Sequence, residues 1–273
     1  MLKTALIFCA MTVAAFALLC VFIYVRQDRL LFYQRPNAPE LRDAWRSHRV
    51  EIASGEHVLE GWWATGGLPD SETVVLYFGG NAEDVLGMAR TSQQLPCKRL
   101  LVVNYRGYGG TKGRPSQEAL YADALAIYDY AIDAGQADPN AIVVMGRSLG
   151  SGVATMLAAR RKVSAAILIT PYDSMVAVAS HHYSWLPVER LLKNPFPSAD
   201  FAKQVRVPAL FLIARNDTII PPSHAHALAA AWAGEKIVHE FEGVGHNDID
   251  FHPRYRATLD DFLTGIAKDS QPR

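Results

Sequence analysis

A serine on a glycine turn between an apolar strand and a helix constrains the fold of this chain more than any other stretch. Residues 142–152 read IVVMGRSLGSG, and helix-forming residues follow to position 159. Glycines two positions either side of Ser148 allow a tight backbone reversal that holds the hydroxyl out of the sheet. The stretch predicts a strand, a sharp turn at Ser148 and a helix, which together form a nucleophile elbow. A plain glycine turn is the alternative interpretation.

The rest of the chain alternates between apolar strand-like runs and helical periodicity. The predicted strands cover residues 48–53, 58–64, 73–78, 100–105, 142–145, 165–170, 208–214 and 237–241. Helices are predicted for residues 82–95, 116–134, 149–159, 221–232 and 253–266. The first two strands form a hairpin, and apolar strands separated by helices are typical of an α/β fold with a mostly parallel sheet covered on both faces. With 273 residues, such a fold is expected to be one domain.

Ligands bind beyond the carboxyl ends of parallel strands, so the loops that leave the strands are where chemistry is expected. Ser148 follows one strand, Asp217 another and His246 a third. A serine hydroxyl needs an imidazole to take its proton, and that imidazole needs a carboxylate to fix its tautomer. These requirements predict Ser148 as nucleophile, His246 as base and Asp217 as acid. The turn Gly79-Gly80-Asn81 adds backbone amides that could meet a substrate oxygen.

Other residues compete for these roles. Asp173 is an alternative acid because it also follows a predicted strand. His224 and His226 lie two apart on a predicted helix, which favours solvent-facing positions over shared chemistry. The cluster formed by His246, Asp248, Asp250 and His252 suggests a metal site, but the H-E-x-x-H spacing of metalloproteases is absent from the sequence and we expect no metal.

Charge and cysteine content exclude several classes. Lys plus Arg and Asp plus Glu both number 27, so the basic surplus of a nucleic-acid-binding protein is missing. The glycine-rich residues 107–113 fit neither the G-x-G-x-x-G nor the phosphate-loop spacing, so no nucleotide cofactor is expected. Cys9 and Cys20 lie in the apolar N-terminal run, which leaves Cys97 without an obvious disulfide partner. Because Cys97 follows Pro96 at a predicted helix-to-strand junction, we interpret it as a structural residue, with an activated thiol as the alternative.

The N-terminal residues form a candidate membrane anchor. Residues 4–25 carry no charge, and a helix of that length reaches across the roughly 30 Å hydrocarbon core of a bilayer. A cleaved signal peptide is the alternative, but its apolar region is usually about 7 to 15 residues. We predict an uncleaved single-span anchor over residues 1–25 and an amphipathic juxtamembrane connector over residues 26–47. Lys3 competes with Arg26 and Arg29 in setting the orientation, which leaves the side of the catalytic domain open.

Several stretches together resemble the membrane-tethered alpha/beta-hydrolase-domain family of serine hydrolases. They read RLLFYQRP, LYFGGNAED, NYRGYGGTKGRPS, MGRSLGSG, PYDSM, HHYSWLP, ARNDTIIP and GVGHND, and they cover most of the chain from Arg26 to about Asp261. The resemblance implies an alpha/beta-hydrolase fold, the chain order Ser148, Asp217, His246 for the triad, and the backbone amides of Asn81 and Leu149 as oxyanion donors. The family usually has His-Gly-Asn where this chain has Gly79-Gly80-Asn81, which alters the oxyanion loop.

The hydrolase domain is expected over residues 48–268, with a small helical cap inserted at about residues 175–206. The cap residues His181, His182, Tyr183 and Trp185 are candidates for an acyl pocket, and packing on the sheet is the alternative. The sequence therefore favours a membrane-anchored serine hydrolase that cleaves an ester or thioester of a lipid-like or acylated substrate. The alternatives are a serine peptidase on the same fold, or a non-catalytic scaffold that binds a partner.

Overall fold

Eight strands form a single sheet in the computed structural model, which describes residues 1–269. The strands are β1 (Arg49–Ser54), β2 (His57–Thr65), β3 (Val74–Phe78), β4 (Arg99–Val103), β5 (Ile142–Arg147), β6 (Ala165–Ile169), β7 (Ala209–Ala214) and β8 (Lys236–Phe241). Their order across the sheet is β1-β2-β4-β3-β5-β6-β7-β8. Pairing is parallel from β4 to β8 and antiparallel where β2 meets β1 and β4, which confirms the predicted hairpin and mostly parallel sheet.

The direction in which successive strands are added to the sheet reverses at β3. Strand β4 lies on one side of β3 and β5 on the other, so the loops leaving β3 and β5 diverge from neighbouring strand ends. Phe78, at the end of β3, is in register with Gly146 of β5. A crevice forms beyond the strand ends at such a switch point, and it is the usual ligand site of an open α/β sheet.

The described part of the chain contains ten α-helices. They are α1 (Leu2–Leu31), α2 (Pro39–Ala44), α3 (Leu86–Arg90), α4 (Gln117–Asp133), α5 (Leu149–Arg160), α6 (Met175–His182), α7 (Val188–Leu191), α8 (Ser198–Ala202), α9 (Pro222–Ala231) and α10 (Tyr255–Asp269). Helices α4, α5, α8 and α9 cover one face of the sheet and α3 and α10 the other, which gives two apolar clusters. Ser116 caps α4 by accepting a hydrogen bond from the backbone N–H of Ala119.

The helix predicted for residues 82–95 was wrong in extent. The structure has only α3 and a short 3-10 turn at Ser92–Gln94. Residues 81–85 instead form a turn, because Asp84 accepts hydrogen bonds from the backbone N–H groups of Ala38 and Leu86. Ala82 has a φ of 60°, which a helix interior does not allow.

The N-terminal helix α1 continues past Val25 and ends at Leu31. It is long and apolar enough to cross a membrane, with a mean hydropathy of 2.8 over its most apolar window, and its side chains there are exposed. Between β6 and β7 the structure has three short helices, α6 to α8, in the region expected to form a helical cap. Of these, α8 packs against α5 and α9 on the body of the domain.

Candidate active site

Ser148 stands on the sharp turn between β5 and α5. Its φ of 50° and ψ of −118° lie outside the regions that side chains ordinarily adopt, at a cost of about 1–3 kcal/mol. The two flanking glycines make room for this turn: a Cβ on Gly150 would lie 2.0 Å from the carbonyl oxygen of Phe78, and one on Gly146 would lie 2.3 Å from the carbonyl oxygen of Gly150. The predicted strand, turn and helix are therefore present, and the turn projects the Ser148 side chain beyond the sheet.

The structure brings Ser148, His246 and Asp217 together. The Nε2 atom of His246 lies 2.8 Å from the Ser148 hydroxyl, and its Nδ1 atom lies 2.6 Å from Oδ2 of Asp217. The other carboxylate oxygen of Asp217 accepts hydrogen bonds of 2.8 Å from the backbone N–H groups of Ile219 and Ile220. Asp217 and His246 are both buried, so the imidazole and carboxylate are held in one orientation.

This arrangement can move a proton away from the serine. With the ring proton on Nδ1 donated to Asp217, Nε2 of His246 is the acceptor for the Ser148 hydroxyl. The carboxylate stabilises the imidazolium that forms when the serine oxygen attacks an electrophile. The three side chains leave β5, β7 and β8, so the convergence of strand ends in a parallel sheet brings them to one edge.

Two backbone segments border the serine. The N–H of Leu149 is in the first turn of α5 and has no carbonyl four residues earlier in the helix to bond to. After β3, a Cβ placed on Gly80 would lie 3.5 Å from Cβ of Ser148, so this loop lies beside Ser148. The side chain of Asn81 faces away from this contact toward the end of α1, where it bonds the carbonyl of Leu31 and the N–H of Tyr33.

Glu83 holds the loop after β3, and the sequence reasoning missed it. One carboxylate oxygen accepts a 2.7 Å hydrogen bond from the N–H of Gly80, and the other accepts a 2.6 Å bond from the hydroxyl of Tyr77. Burial, and then the neighbouring Glu83 carboxylate, raise the pKa of Tyr77 well above its ordinary value, so the hydroxyl stays protonated and donates. The only sequence signal was a glutamate three residues after Gly80, which fits a surface turn equally well.

Arg147, immediately before Ser148, contacts the loop that carries His246. Its Nη2 atom donates to the carbonyl of His246 at 3.4 Å and lies 3.8 Å from Asp250. Burial alone would lower the pKa of Arg147, but surrounding acidic groups, including Glu83 and Asp250, raise it above its ordinary value. The guanidinium therefore stays charged between the loops that follow β3 and β8.

Replacing Glu83 by glutamine is expected to lower kcat by about 10- to 100-fold, because a hydrogen bond to a charged group contributes about 1.5–3 kcal/mol. A glutamine has one acceptor oxygen and must present an amide N–H to either Gly80 or Tyr77. As a positioning residue, Glu83 should affect kcat while KM stays near its wild-type value, and the protein should remain folded with a melting temperature lower by about 3–12 °C. Steady-state kinetics with Glu56→Gln, an exposed turn glutamate, as matched control would test this. An unchanged kcat would show that the loop does not need Glu83.

The competing residues lie elsewhere. Asp173 bonds Nδ1 of His224 at 2.9 Å, so it belongs to a separate pair. His182 contacts the carbonyl of Ile219 at 2.9 Å, and the ring of His181 packs edge-on against His182 and His224. In the chain up to residue 269, no three His, Cys, Asp or Glu side chains converge as a metal-binding group.

The remaining candidates differ in their exposure. Tyr183 and Trp185 are 52% and 58% exposed on the outer side of the cap, and the Trp185 ring lies 6.4 Å from that of Phe16 in α1. Cys97 is buried, and burial raises the pKa of its thiol to about 12. A thiol that stays protonated at neutral pH is a poor nucleophile, which agrees with the structural role predicted for Cys97.

The chain is similar in sequence and in fold to several known proteins. Residues 126–255 match the serine hydrolase family. The chain is 36% identical over 234 residues to the uncharacterized protein Rv2307c of Mycobacterium tuberculosis, covering 84% of this chain and 83% of that protein. It is 28% identical over 200 residues to alpha/beta hydrolase domain-containing protein 17B of Xenopus tropicalis, covering 72% and 68%. The esterase Pf2001 of Pyrococcus furiosus shares the fold, with a TM-score of 0.63, 16% identity and coverage of 86% and 97%.

Proposed function

Because the chain belongs to the alpha/beta-hydrolase-domain family of serine hydrolases, we propose that it is a membrane-anchored enzyme that cleaves a carboxylic ester or thioester through an acyl-enzyme. Ser148 is the nucleophile, His246 the general base and Asp217 the acid that orients His246. The observation that carries the proposal is the unbroken chain of hydrogen bonds from Ser148 through His246 to Asp217, at 2.8 and 2.6 Å.

The reaction proceeds in two halves. Ser148 Oγ attacks the carbonyl carbon while its proton passes to Nε2 of His246. Collapse of the tetrahedral intermediate breaks the bond to the leaving alcohol or thiol, which takes that proton from His246. A water then gives a proton to His246 and attacks the acyl-serine. Collapse of the second tetrahedral intermediate breaks the bond between the acyl carbon and Ser148 Oγ and releases the carboxylic acid, while His246 returns the proton to Ser148.

The negative oxygen of the tetrahedral intermediate requires hydrogen-bond donors. The N–H of Leu149 supports this role because it lies at the start of α5, where the helix dipole also favours negative charge. The backbone N–H of Asn81 is the second proposed donor. Gly80 is not an alternative, since its N–H is engaged by Glu83 at 2.7 Å.

A lipid-like or acylated substrate fits the surroundings of the site. The apolar helix α1 is proposed to anchor the chain in a membrane. The carbonyl of Leu31, its last residue, and the N–H of Tyr33 just beyond it both bond the side chain of Asn81, beside the proposed nucleophile. A cleaved signal peptide is the alternative for the first residues of this helix. Buried Gln27 supports retention of at least its second half, because its side chain bonds the backbone of Leu191 and Lys193 in the cap.

A fluorophosphonate probe tests whether the protein is an active serine hydrolase. We expect the folded full-length protein to be labelled stoichiometrically, because the probe requires a serine activated by its imidazole. Heat-denatured protein, which has lost the alignment of the three side chains, serves as the control and should not be labelled. Absence of labelling in the folded protein would favour the alternative of a non-catalytic scaffold.

Serine peptidases also react with such probes, so substrates that differ only in the leaving group separate the two activities. We expect kcat/KM for a p-nitrophenyl ester to exceed that for the p-nitroanilide of the same acyl group by more than the difference in their chemical reactivity. If kcat/KM divided by the rate of uncatalysed hydrolysis were higher for the anilide than for the ester, the enzyme would instead be a peptidase.

A further inference from the structure

One face of α1 lies against the cap and is less exposed than the rest of the helix. On this face Gln27 is 5% exposed, and Phe16 and Leu19 are 41% and 39% exposed. Leu18, on another face, is 70% exposed. Cys20 and Ile23 are half-buried as well. Positions 16, 19, 20, 23 and 27 follow the three- and four-residue spacing of a single helical face.

The covering segment is the stretch of the cap from Trp185 to Lys193. The Trp185 ring lies beside Phe16 with centroids 6.4 Å apart, and the Lys193 ammonium lies 4.3 Å from the ring centroid of Tyr24. Farther along, the side-chain amide of Gln27 donates to the carbonyl of Leu191 at 2.8 Å. The segment therefore runs along α1 from the level of Phe16 to that of Gln27.

This packing is incompatible with a bilayer that stops below the cap. From Thr4 to Phe16 the helix rises about 18 Å at 1.5 Å per residue, well short of the roughly 30 Å hydrocarbon core. From Phe16 to Val25 it rises about another 14 Å. A bilayer thick enough to enclose the uncharged run must therefore extend past Phe16, to the level at which Trp185 lies.

We propose that the tip of the cap, residues 183–185, is inserted in the lipid bilayer beside α1. This rests on the anchor included in the proposed function. The chemistry of the tip fits a lipid partner, because Tyr183 and Trp185 are both more than half exposed, and burying their large aromatic rings in lipid removes apolar surface from water. The stretch from Tyr183 to Val188 carries no charged residue, and the first charges, Glu189 and Arg190, follow it.

The insertion sets the height of the active site above the lipid. Leu31, whose carbonyl is bonded by Asn81, lies six residues beyond Val25, or about 9 Å along the helix axis. Gly80, next to Asn81, borders Ser148. The nucleophile is thus held close to the outer edge of the lipid headgroup layer, which is about 5–8 Å thick on each side of the core, so the substrate class is an ester that is presented at the membrane surface.

Quenching of tryptophan fluorescence by brominated lipids measures the insertion. Full-length protein is reconstituted in phosphatidylcholine vesicles with and without bromine on the acyl chains. Trp62 and Trp232 are buried in the domain, and we expect the bromine-dependent quenching to come mainly from Trp185. Trp185→Phe should therefore lose most of it, whereas the matched variant Trp45→Phe should keep the wild-type value. Tyr183→Trp should increase it, which provides a second readout if Trp185→Phe folds poorly.

The outcomes separate this inference from the anchor on which it rests. Protein that does not float with the vesicles in a density gradient would overturn both. Protein that floats, but whose quenching is the same in Trp185→Phe as in the wild type, would retain the anchor and place the cap tip in water, against the inference. Fluorophosphonate labelling, measured on the same samples, reports the serine chemistry separately from both.

Discussion

Alanine in place of Ser148 is expected to lower kcat for ester hydrolysis by about six orders of magnitude. In the proposed mechanism the hydroxyl oxygen forms the acyl-enzyme, and no other nucleophile is placed within 2.8 Å of Nε2 of His246 among the described residues. The fold should survive, because alanine removes a single oxygen from a turn whose shape is set by Gly146 and Gly150. Turnover of a p-nitrophenyl ester and circular dichroism together measure the two effects.

Ser151 provides the matched control for this substitution. It lies one turn into α5 and is fully buried, and its hydroxyl donates to the carbonyl of Ser148 at 2.7 Å. Ser151→Ala should change kcat by less than about tenfold, in line with the loss of one neutral hydrogen bond. If Ser148→Ala kept activity within tenfold of the wild type, Ser148 would not be the nucleophile.

Asparagine in place of Asp217 is expected to lower kcat by about four orders of magnitude while leaving the fold intact. The N–H groups of Ile219 and Ile220 both bond one carboxylate oxygen of Asp217, so they fix the amide oxygen of an asparagine at that position. The amide nitrogen then faces Nδ1 of His246, now 2.6 Å from a carboxylate oxygen. The ring must take the tautomer with its proton on Nε2, which cannot accept the serine proton.

Asp173 supplies the control here, since the sequence left it as an alternative acid. The structure pairs it with His224 at 2.9 Å, whereas the carboxylate that bonds His246 is that of Asp217. Steady-state kinetics on Asp173→Asn should therefore show a kcat within about tenfold of the wild type. A loss of four orders of magnitude in Asp173→Asn, with Asp217→Asn nearly as active as the wild type, would reverse the assignment of the acid.

The sheet and the elbow could be predicted because both depend on local patterns. Apolar strands separated by helical periodicity determine a parallel sheet, and a serine between two glycines at a strand end determines a sharp turn. The convergence of Ser148, Asp217 and His246 then follows from the rule that parallel strands end at one edge. The same rule allowed Asp173 as well, and the observed contacts, Asp217 with His246 and Asp173 with His224, distinguish the two carboxylates.

The features that could not be predicted depend on contacts between distant residues. Glu83 reads as part of a surface turn until Tyr77 and Gly80 are seen to bond it. The helix expected from residue 82 gives way to a turn because Asp84 bonds Ala38, which lies 46 residues earlier in the chain. Likewise, the polar residue Gln27 is buried only because Leu191 and Lys193, more than 160 residues later, supply its hydrogen-bond partners.

The loop after β3 departs from the pattern of the family that the sequence resembles. That family usually has His-Gly-Asn where this chain has Gly79-Gly80-Asn81. Gly80 nevertheless lies beside Ser148. Glu83 accepts a hydrogen bond from the N–H of Gly80, and the hydroxyl of Tyr108 donates to the Asn81 side chain at 2.7 Å, so these two residues hold the loop in place. Glu83 and Tyr108 therefore position the loop in this chain, which has glycine instead of histidine at position 79.

The acyl-enzyme itself is the most direct test of the proposed chemistry. Protein mixed with a p-nitrophenyl ester, quenched in acid during turnover and digested with trypsin yields the peptide from Ser148 to Arg160, since Arg147 precedes it. The proposed mechanism predicts that this peptide gains the mass of the acyl group and that fragmentation places it on Ser148. An acyl group found on any other residue, or turnover with this peptide unmodified under conditions in which deacylation limits the rate, would contradict it.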